Sequence, residues 1–319
     1  MGAKAGRQSA DQAAPFAIGD DVCDYCHARF LAASPPHVAE FAPVTNLTRR
    51  RELSRHALPP NRCRHCFATP VHGSSRRETS VIECHLLKLR ARTDINAAEE
   101  QAIRDLVSDV REHPADTVIV KAGDELSAST LLIDGILARS HNLAEGGRQI
   151  TELHVAGDFA DLHGFTLKRL DHDLVTMSKC RTAVVPHDRL IRLTEEFPHV
   201  ARCYWFGTNL DAAIHRVWEV SLGRRRASPR MAHLFCEMHV RLGIVGLTDG
   251  LSFNLPLTQD ELADCLGLTA VHVNRTLKDL RERELIDFRS GRVIIHDLDG
   301  LRELAEFDPA YLYLEKRPR

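Results

Sequence analysis

Leu257-Thr-Gln-Asp-Glu-Leu-Ala-Asp-Cys-Leu-Gly-Leu-Thr-Ala-Val-His-Val-Asn-Arg-Thr-Leu-Lys-Asp-Leu280 joins two short amphipathic helical patterns at a single glycine. In the first, Leu262 and Leu266 repeat at i,i+4, and the small Ala263 leaves room for a second helix to approach. Gly267 then interrupts the pattern, as a tight turn with positive φ requires. In the second, Thr269 stands at the N-cap position, and Val273, Leu277 and Leu280 repeat at i, i+4, i+7. That spacing is the apolar stripe of a half-buried helix. The opposite face carries Val271, Asn274, Arg275 and Lys278. Such a face suits the major groove, with N-terminal residues at base edges and later cations near phosphates. The stretch reads as a helix-turn-helix. An ordinary pair of core helices shows the same apolar spacing, and the residues after Leu280 decide between the two.

Two β-rich runs come next, residues 285–288 and 292–296, flanking Arg289-Ser-Gly-Arg292. They read as a hairpin. A basic-tipped hairpin directly after a recognition helix is the wing of a winged helix, placed to touch the DNA backbone. The DNA-contacting set expected from these patterns is Gln259, Thr269, Ala270, Val271, His272, Asn274, Arg275 and Lys278, with Arg289 and Arg292 from the wing.

The whole chain of 319 residues supports more than one domain. Its formal net charge is −2, so no global basic field advertises nucleic acid. A dimer needs only local cations on one face, and residues 269–283 carry Arg275, Lys278, Arg281 and Arg283 against Asp279 and Glu282. No run approaches the roughly 18 apolar residues of a membrane span, and the N-terminus lacks the apolar core of a signal peptide. Nine scattered cysteines do not form a disulfide framework. These features point to a cytoplasmic protein with reduced thiols.

Residues 1–80 differ in character, with eleven Lys or Arg against seven acids and no sustained period. They read either as a disordered extension or as sequence upstream of a true start at Val81, since no methionine lies between Met1 and Met177. Within them stand Cys23-Asp-Tyr-Cys26 and Cys63-Arg-His-Cys66. Two such pairs could supply four ligands to zinc, but the 36 residues between them exceed the usual gap. No metal ligand or cofactor is assigned on this basis. A metal- or redox-responsive regulator sensing through these cysteines is the alternative functional reading.

Residues 96–110 read as an amphipathic helix with Asn96 at the N-cap and Ile103, Leu106 and Val110 on its stripe. Short strand-like runs succeed it at 117–120, 129–133, 135–138, 149–155 and 182–185, separated by Gly-Asp turn signals. Many short strands at this spacing suggest an antiparallel barrel or jelly roll. Residues 199–223 read as one long helix, with Trp205, Leu210, Ile214, Val217 and Trp218 apolar on more than one side. Such a helix between a sensor and a reading domain is a good dimerisation element, setting two recognition helices about one DNA turn apart. Arg224-Arg-Arg226 with Ser228-Pro229 ends this helix and caps the next, which runs to about residue 242.

A β-rich roll, a long helix and then a winged helix-turn-helix resembles the bacterial cyclic-AMP receptor/fumarate-nitrate regulator (Crp/Fnr) family, over about residues 81–315. Gly267-Leu-Thr269 and Asn274-Arg275 are its most specific points, and residues 304–312 look like the tail of an alphaproteobacterial branch. The resemblance implies an α+β fold: a cyclic-nucleotide-binding-like β-roll at 81–198, a dimerisation helix at 199–226, a winged helix-turn-helix at 227–299 and a tail at 300–319. It implies a homodimeric transcription regulator on a two-fold symmetric double-stranded operator, touching RNA polymerase if it activates. In that family a Glu and an Arg of the recognition helix read bases. Arg275 holds the arginine position and can reach guanine bidentately, whereas Val271 stands at the glutamate position and packs instead on a thymine methyl.

The resemblance also places a ligand pocket. Cyclic-nucleotide-binding members hold the ribose with Gly-Glu and the cyclic phosphate with Arg-Ser. Here Gly157-Asp158 stands at the first pair and His172-Asp173 at the second, putting an anion where phosphate would sit. Cyclic-AMP binding is therefore not expected, and the effector is left open. An iron–sulfur cluster fits poorly, because after Cys63 and Cys66 the next cysteine is Cys84. No phosphate loop, nucleophile elbow or His-Glu-x-x-His helix is present, so no enzymatic activity is expected. Asp171-His172-Asp173 reads as a surface turn of the roll.

Overall fold

The computed structural model describes residues 81–319, and the four cysteines at positions 23, 26, 63 and 66 lie outside them. Two short helices lead in: α1 (Glu83–Arg90) and α2 (Ala97–Arg104). Asn96 caps α2 in a reciprocal capping box with Glu99. The helix expected to reach residue 110 stops at Arg104, and Val110 lies in a strand, 38 % exposed. The cause is long-range: Leu106 continues the apolar stripe and is buried, but the chain must then turn outward to pair with a later strand.

Seven strands form the roll: β1 (Asp109–His113), β2 (Val118–Val120), β3 (Ala128–Asp134), β4 (Leu137–Asn142), β5 (Arg148–His154), β6 (Asp173–Thr176) and β7 (Cys180–Pro186). They build two antiparallel sheets, in the orders β1-β7-β3 and β2-β6-β4-β5. A single turn of helix, α3 (Gly164–Leu167), interrupts the run before β6. On β4 and β5, Arg139 and Glu152 face each other in register and form a buried ion pair at 2.7 Å. Removing either partner of such a pair leaves an uncompensated buried charge, at a cost of about 3–5 kcal/mol.

Two helices then leave the roll, α4 (His187–Glu196) and the 27-residue α5 (Pro198–Arg224), which has Pro198 at its first position. Ile214 and Trp218 of α5 pack into the main core, while Val200 and Tyr204 pack with α1, α4 and the roll. The next helix, α6 (Ala227–Ile244), begins at Arg226 without a side-chain cap. Ser228 lies inside its first turn and donates to Asp279 instead, so the expected Ser-Pro cap does not form.

The C-terminal unit adds β8 (Thr248–Asp249), β9 (Ser252–Asn254), α7 (Gln259–Leu266), α8 (Ala270–Glu282), β10 (Ile286–Arg289), β11 (Arg292–Ile295) and α9 (Leu298–Ala305). The four strands form one antiparallel sheet, β10-β11-β9-β8. Residues 300–319 are no mere tail. Leu301, Ala305, Phe307 and Leu312 join the same core as the helix-turn-helix, and the Tyr311 hydroxyl donates to Glu237 on α6 at 2.7 Å. The chain end also reaches the turn after α1: Arg317 N donates to the Arg92 carbonyl at 2.9 Å. The main core is continuous from Ile150, Leu153 and Val155 of the roll to Leu262, Val273 and Leu277 of the reading unit.

Candidate nucleic-acid interface

The turn between α7 and α8 is set by its own residues. The Thr258 hydroxyl accepts from Glu261 N at 3.2 Å, and the Glu261 carboxylate accepts from Thr258 N at 2.6 Å. This closed capping box starts α7. Gly267 ends it at φ 58° and ψ 43°, the left-handed conformation that favours glycine. Thr269 then caps α8, its hydroxyl accepting from His272 N at 3.2 Å. Val273, Thr276, Leu277 and Leu280 are buried, so the apolar stripe read from the sequence is the inner face. Each of the aliphatic three contributes about 1.5–3 kcal/mol by leaving water.

The outer face is open. Val271 is 82 % exposed, and Asn274, Arg275 and Lys278 are exposed beside it. Asn274 Nδ2 donates to Gln259 Oε1 at 3.2 Å, tying the start of α7 to the middle of α8. Arg275 makes no hydrogen bond or ion pair among the described residues, while Lys278 stands 3.6 Å from Glu282. The neighbouring cations serve the fold: Arg281 binds Asp287 at 2.8 Å and Arg283 binds Asp279 at 3.0 Å. Of the local positive charge read from the sequence, Arg275 and Lys278 thus remain most available to a polyanion. Thr269 has its hydroxyl engaged as the cap, His272 and Ala270 are half-buried, and Gln259 is exposed at the first turn of α7.

β10 and β11 pair with Arg289 opposite Arg292, leaving a two-residue turn of Ser290 and Gly291, both at positive φ (50° and 72°). Positive φ at both positions is what a tight two-residue hairpin turn demands. Arg289 projects 3.8 Å from Asp287, and Arg292 donates to the Ser252 hydroxyl at 2.8 Å. Both guanidinium groups are exposed at the tip.

Contacts that no local pattern announces hold this head in place. Arg148 of β5 binds Asp264 of α7 at 2.7 Å, and Gln149 Nε2 donates to the Asp264 carbonyl at 2.7 Å. Arg230 of α6 donates to the carbonyls of Leu222 and Arg225 at 2.9 and 2.8 Å, and also to that of Leu266. One cation thereby closes the C-terminal ends of both α5 and α7, where helix dipoles favour positive charge.

The four residues expected to form one ligand pocket do not come together. Gly157 and Asp158 line a cavity of about 90 Å³ with His85, Lys88, Tyr204 and Arg241. Asp158 is occupied there by Lys88 and by Arg241, the latter at 3.1 Å. Burial pushes its carboxyl up, but these two cations outweigh it and hold the group well below the usual range. Burial lowers Lys88 in turn to about 8. His172 lines a different groove, together with Arg139, His141, His163 and Asp171. Asp173 serves the strand edge, accepting from Ala122 N at 2.8 Å and from Asn142 Nδ2 at 2.9 Å. It is the first residue of β6, a strand with no counterpart among the expected ones.

Residues 229–304 match the Crp-like helix-turn-helix domain family. Over 189 residues the chain is 30 % identical to a probable transcriptional activator of Rhizobium leguminosarum bv. viciae, covering 58 % of this chain and 77 % of that one. Over 218 residues it is 29 % identical to the transcriptional activator protein FnrL of Cereibacter sphaeroides, covering 66 % and 86 %. The solved structure of FixK2 from Bradyrhizobium japonicum shares the fold at a TM-score of 0.55 and 21 % identity, covering 62 % of this chain and 98 % of that one. With its roll, long helix and winged helix-turn-helix, the chain belongs to the Crp/Fnr family of transcription regulators.

Proposed function

We propose that the protein acts as a cytoplasmic homodimer that reads a two-fold symmetric operator with one α8 in each half-site. The observation that carries this reading is the pairing of a buried Val273–Leu277–Leu280 stripe with an outward face on which Arg275 has no partner among the described residues. Arg275 reaches guanine O6 and N7. Val271 packs on a thymine methyl, and Asn274, steadied by Gln259, adds a polar contact to base or phosphate. Ala270 and His272 approach the backbone at the helix N-terminus, next to the Thr269 cap. Lys278 and the wing residues Arg289 and Arg292 meet phosphates, which position the protein without reading sequence.

Dimerisation is assigned to α5. Arg202, Trp205, Asn209, Ala212, Arg216 and Glu219 succeed one another in alternating steps of three and four. That is the spacing of a coiled-coil seam, in which a polar Asn fixes register. Trp205 is 70 % exposed and Val220, near the end of the stripe, is 52 % exposed. Two relatives are named activators, and contact with RNA polymerase is expected if this chain activates too. The small-molecule effector is not assigned. Asp158 is already neutralised by Lys88 and Arg241, and an acidic Asp173 stands next to His172, so a cyclic nucleotide phosphate finds no free cation at either pair.

Gel-shift titration on a selected operator tests the reading. Arg275→Ala is expected to abolish specific binding while weak, salt-sensitive non-specific binding persists. Unchanged operator affinity would remove Arg275 from the base-reading role.

A further inference from the structure

Three separate stretches of the roll bring nitrogen and oxygen ligands to one groove. His141 comes from β4, His163 directly precedes α3, and Asp171 and His172 form the turn into β6. One ligating atom from each of His141, Asp171 and His172 lies within 4.8 Å of the others. The His163 and His172 rings are 5.4 Å apart between centroids, and those of His141 and His172 are 6.0 Å apart. All four residues line the same groove.

His172 gives the independent sign of a ligand. It is 6 % exposed, its Nδ1 stands 2.8 Å from Asp171 Oδ1, and its Nε2 is buried with no partner. Leaving such an atom unsatisfied carries a desolvation penalty that an apolar filler at this position would avoid.

The charge around the groove allows this role. Arg139 does not oppose a cation with its full charge, because Glu152 binds it at 2.7 Å and Asp211 at 3.0 Å.

We propose that His141, Asp171 and His172, with His163 as the fourth donor, form a site for a divalent transition-metal ion such as Zn²⁺, Co²⁺ or Ni²⁺. Imidazole with a single carboxylate suits this class, whereas Ca²⁺ and Mg²⁺ call for mostly oxygen ligands. Tetrahedral ligation at about 2.0–2.1 Å brings donors to about 3.3–3.5 Å of one another. Asp171, with its side chain 84 % exposed, and half-buried His141 can close that gap by side-chain rotation. Sequence spacing hides this site, because 171–173 has the look of a surface turn and its partners stand on separate stretches of the chain, at positions 141 and 163.

The test is Co²⁺ titration of the untagged full chain after chelator treatment, with Cys23, Cys26, Cys63 and Cys66 each replaced by Ser to remove thiolate ligands. One equivalent is expected to bind with a visible ligand-field band, and Zn²⁺ should displace it. Asp171→Asn, on an exposed side chain, and His141→Ala should each weaken binding at least about tenfold, the lower end of the loss seen even for partners one layer further out. His172→Ala should abolish binding, with a thermal melt confirming that it folds. Absence of saturable Co²⁺ binding, or equal affinity in the Asp171→Asn and His141→Ala variants, would overturn the proposal.

Discussion

At the scale of single residues, Gly157 shows how little freedom the roll leaves. It sits at φ +87°, and a Cβ built there would lie 2.5 Å from the Cys84 carbonyl carbon and 2.7 Å from His85 N. Both obstacles are backbone and cannot swing away. Gly123 has nearly the same φ, +88°, but nothing within 4 Å of such a Cβ. Gly157→Ala should therefore cost clearly more than the roughly 1 kcal/mol backbone penalty expected of Gly123→Ala. Equal midpoints for the two variants in urea unfolding would show that α1 does not pack against the 157–158 turn as described. The packing also explains why the Gly-Asp pair, legible as a turn, resembles half of a ligand pocket in sequence yet has its carboxylate already paired in the fold. Its partners, Lys88 and Arg241, lie 70 positions before Asp158 and 83 after it. No local pattern carries such a pairing.

At the scale of elements, legibility tracks length and period. α5 and the α7–turn–α8 unit carry apolar stripes over several turns and bracketing signals, Pro198 and Gly267, so their types and faces can be read directly. β1 cannot. Its sequence Asp-Val-Arg-Glu-His has four exposed residues of five, and only its pairing with β7 makes it a strand. β6, four residues long, is hidden beside a run of acids and histidine. The α5 seam makes its own prediction. Trp205→Asp places a charge at the most exposed apolar position of the helix, and an anchor aromatic of this kind contributes about 2 kcal/mol or more to an interface. Sedimentation velocity should show a dimer for the parent chain and a more than tenfold shift toward monomer for the variant. An unchanged dimer would move the interface away from this stripe.

At the scale of the whole molecule, one core runs from the roll through α5 and α6 to the winged helix, and the chain end closes over it with Phe307 and Leu312. Buried histidines are distributed through this body. Burial pushes His85 and His233 to about 4 and His163 to about 3. Each has a folded pKa below its ordinary value near 6.5, so the unfolded chain binds more protons between the two values. Stability is then full above about pH 6.5 and falls as pH drops toward 4. Asp161 and Asp211, raised by burial to about 6 and about 7, work in the opposite sense over about pH 4 to 7, but they are two groups against three. Thermal midpoints should fall between pH 6.5 and 4.5, and a flat profile would contradict the neutral burial of these rings.

The same continuity bears on how the reading head is aimed. Arg230 ties the ends of α5 and α7, and Arg148 ties α7 to the roll, so the position of α8 depends on both. If α5 pairs two protomers, the two copies of α8 are set at a defined separation. Hydroxyl-radical footprinting of the protein on its own promoter region tests this most directly. Two protected half-sites are expected, related by two-fold symmetry and centred about 10 base pairs, one helical turn, apart. Protection of a single half-site, or no protected sequence at all, would contradict a dimeric reader built on α5 and α8.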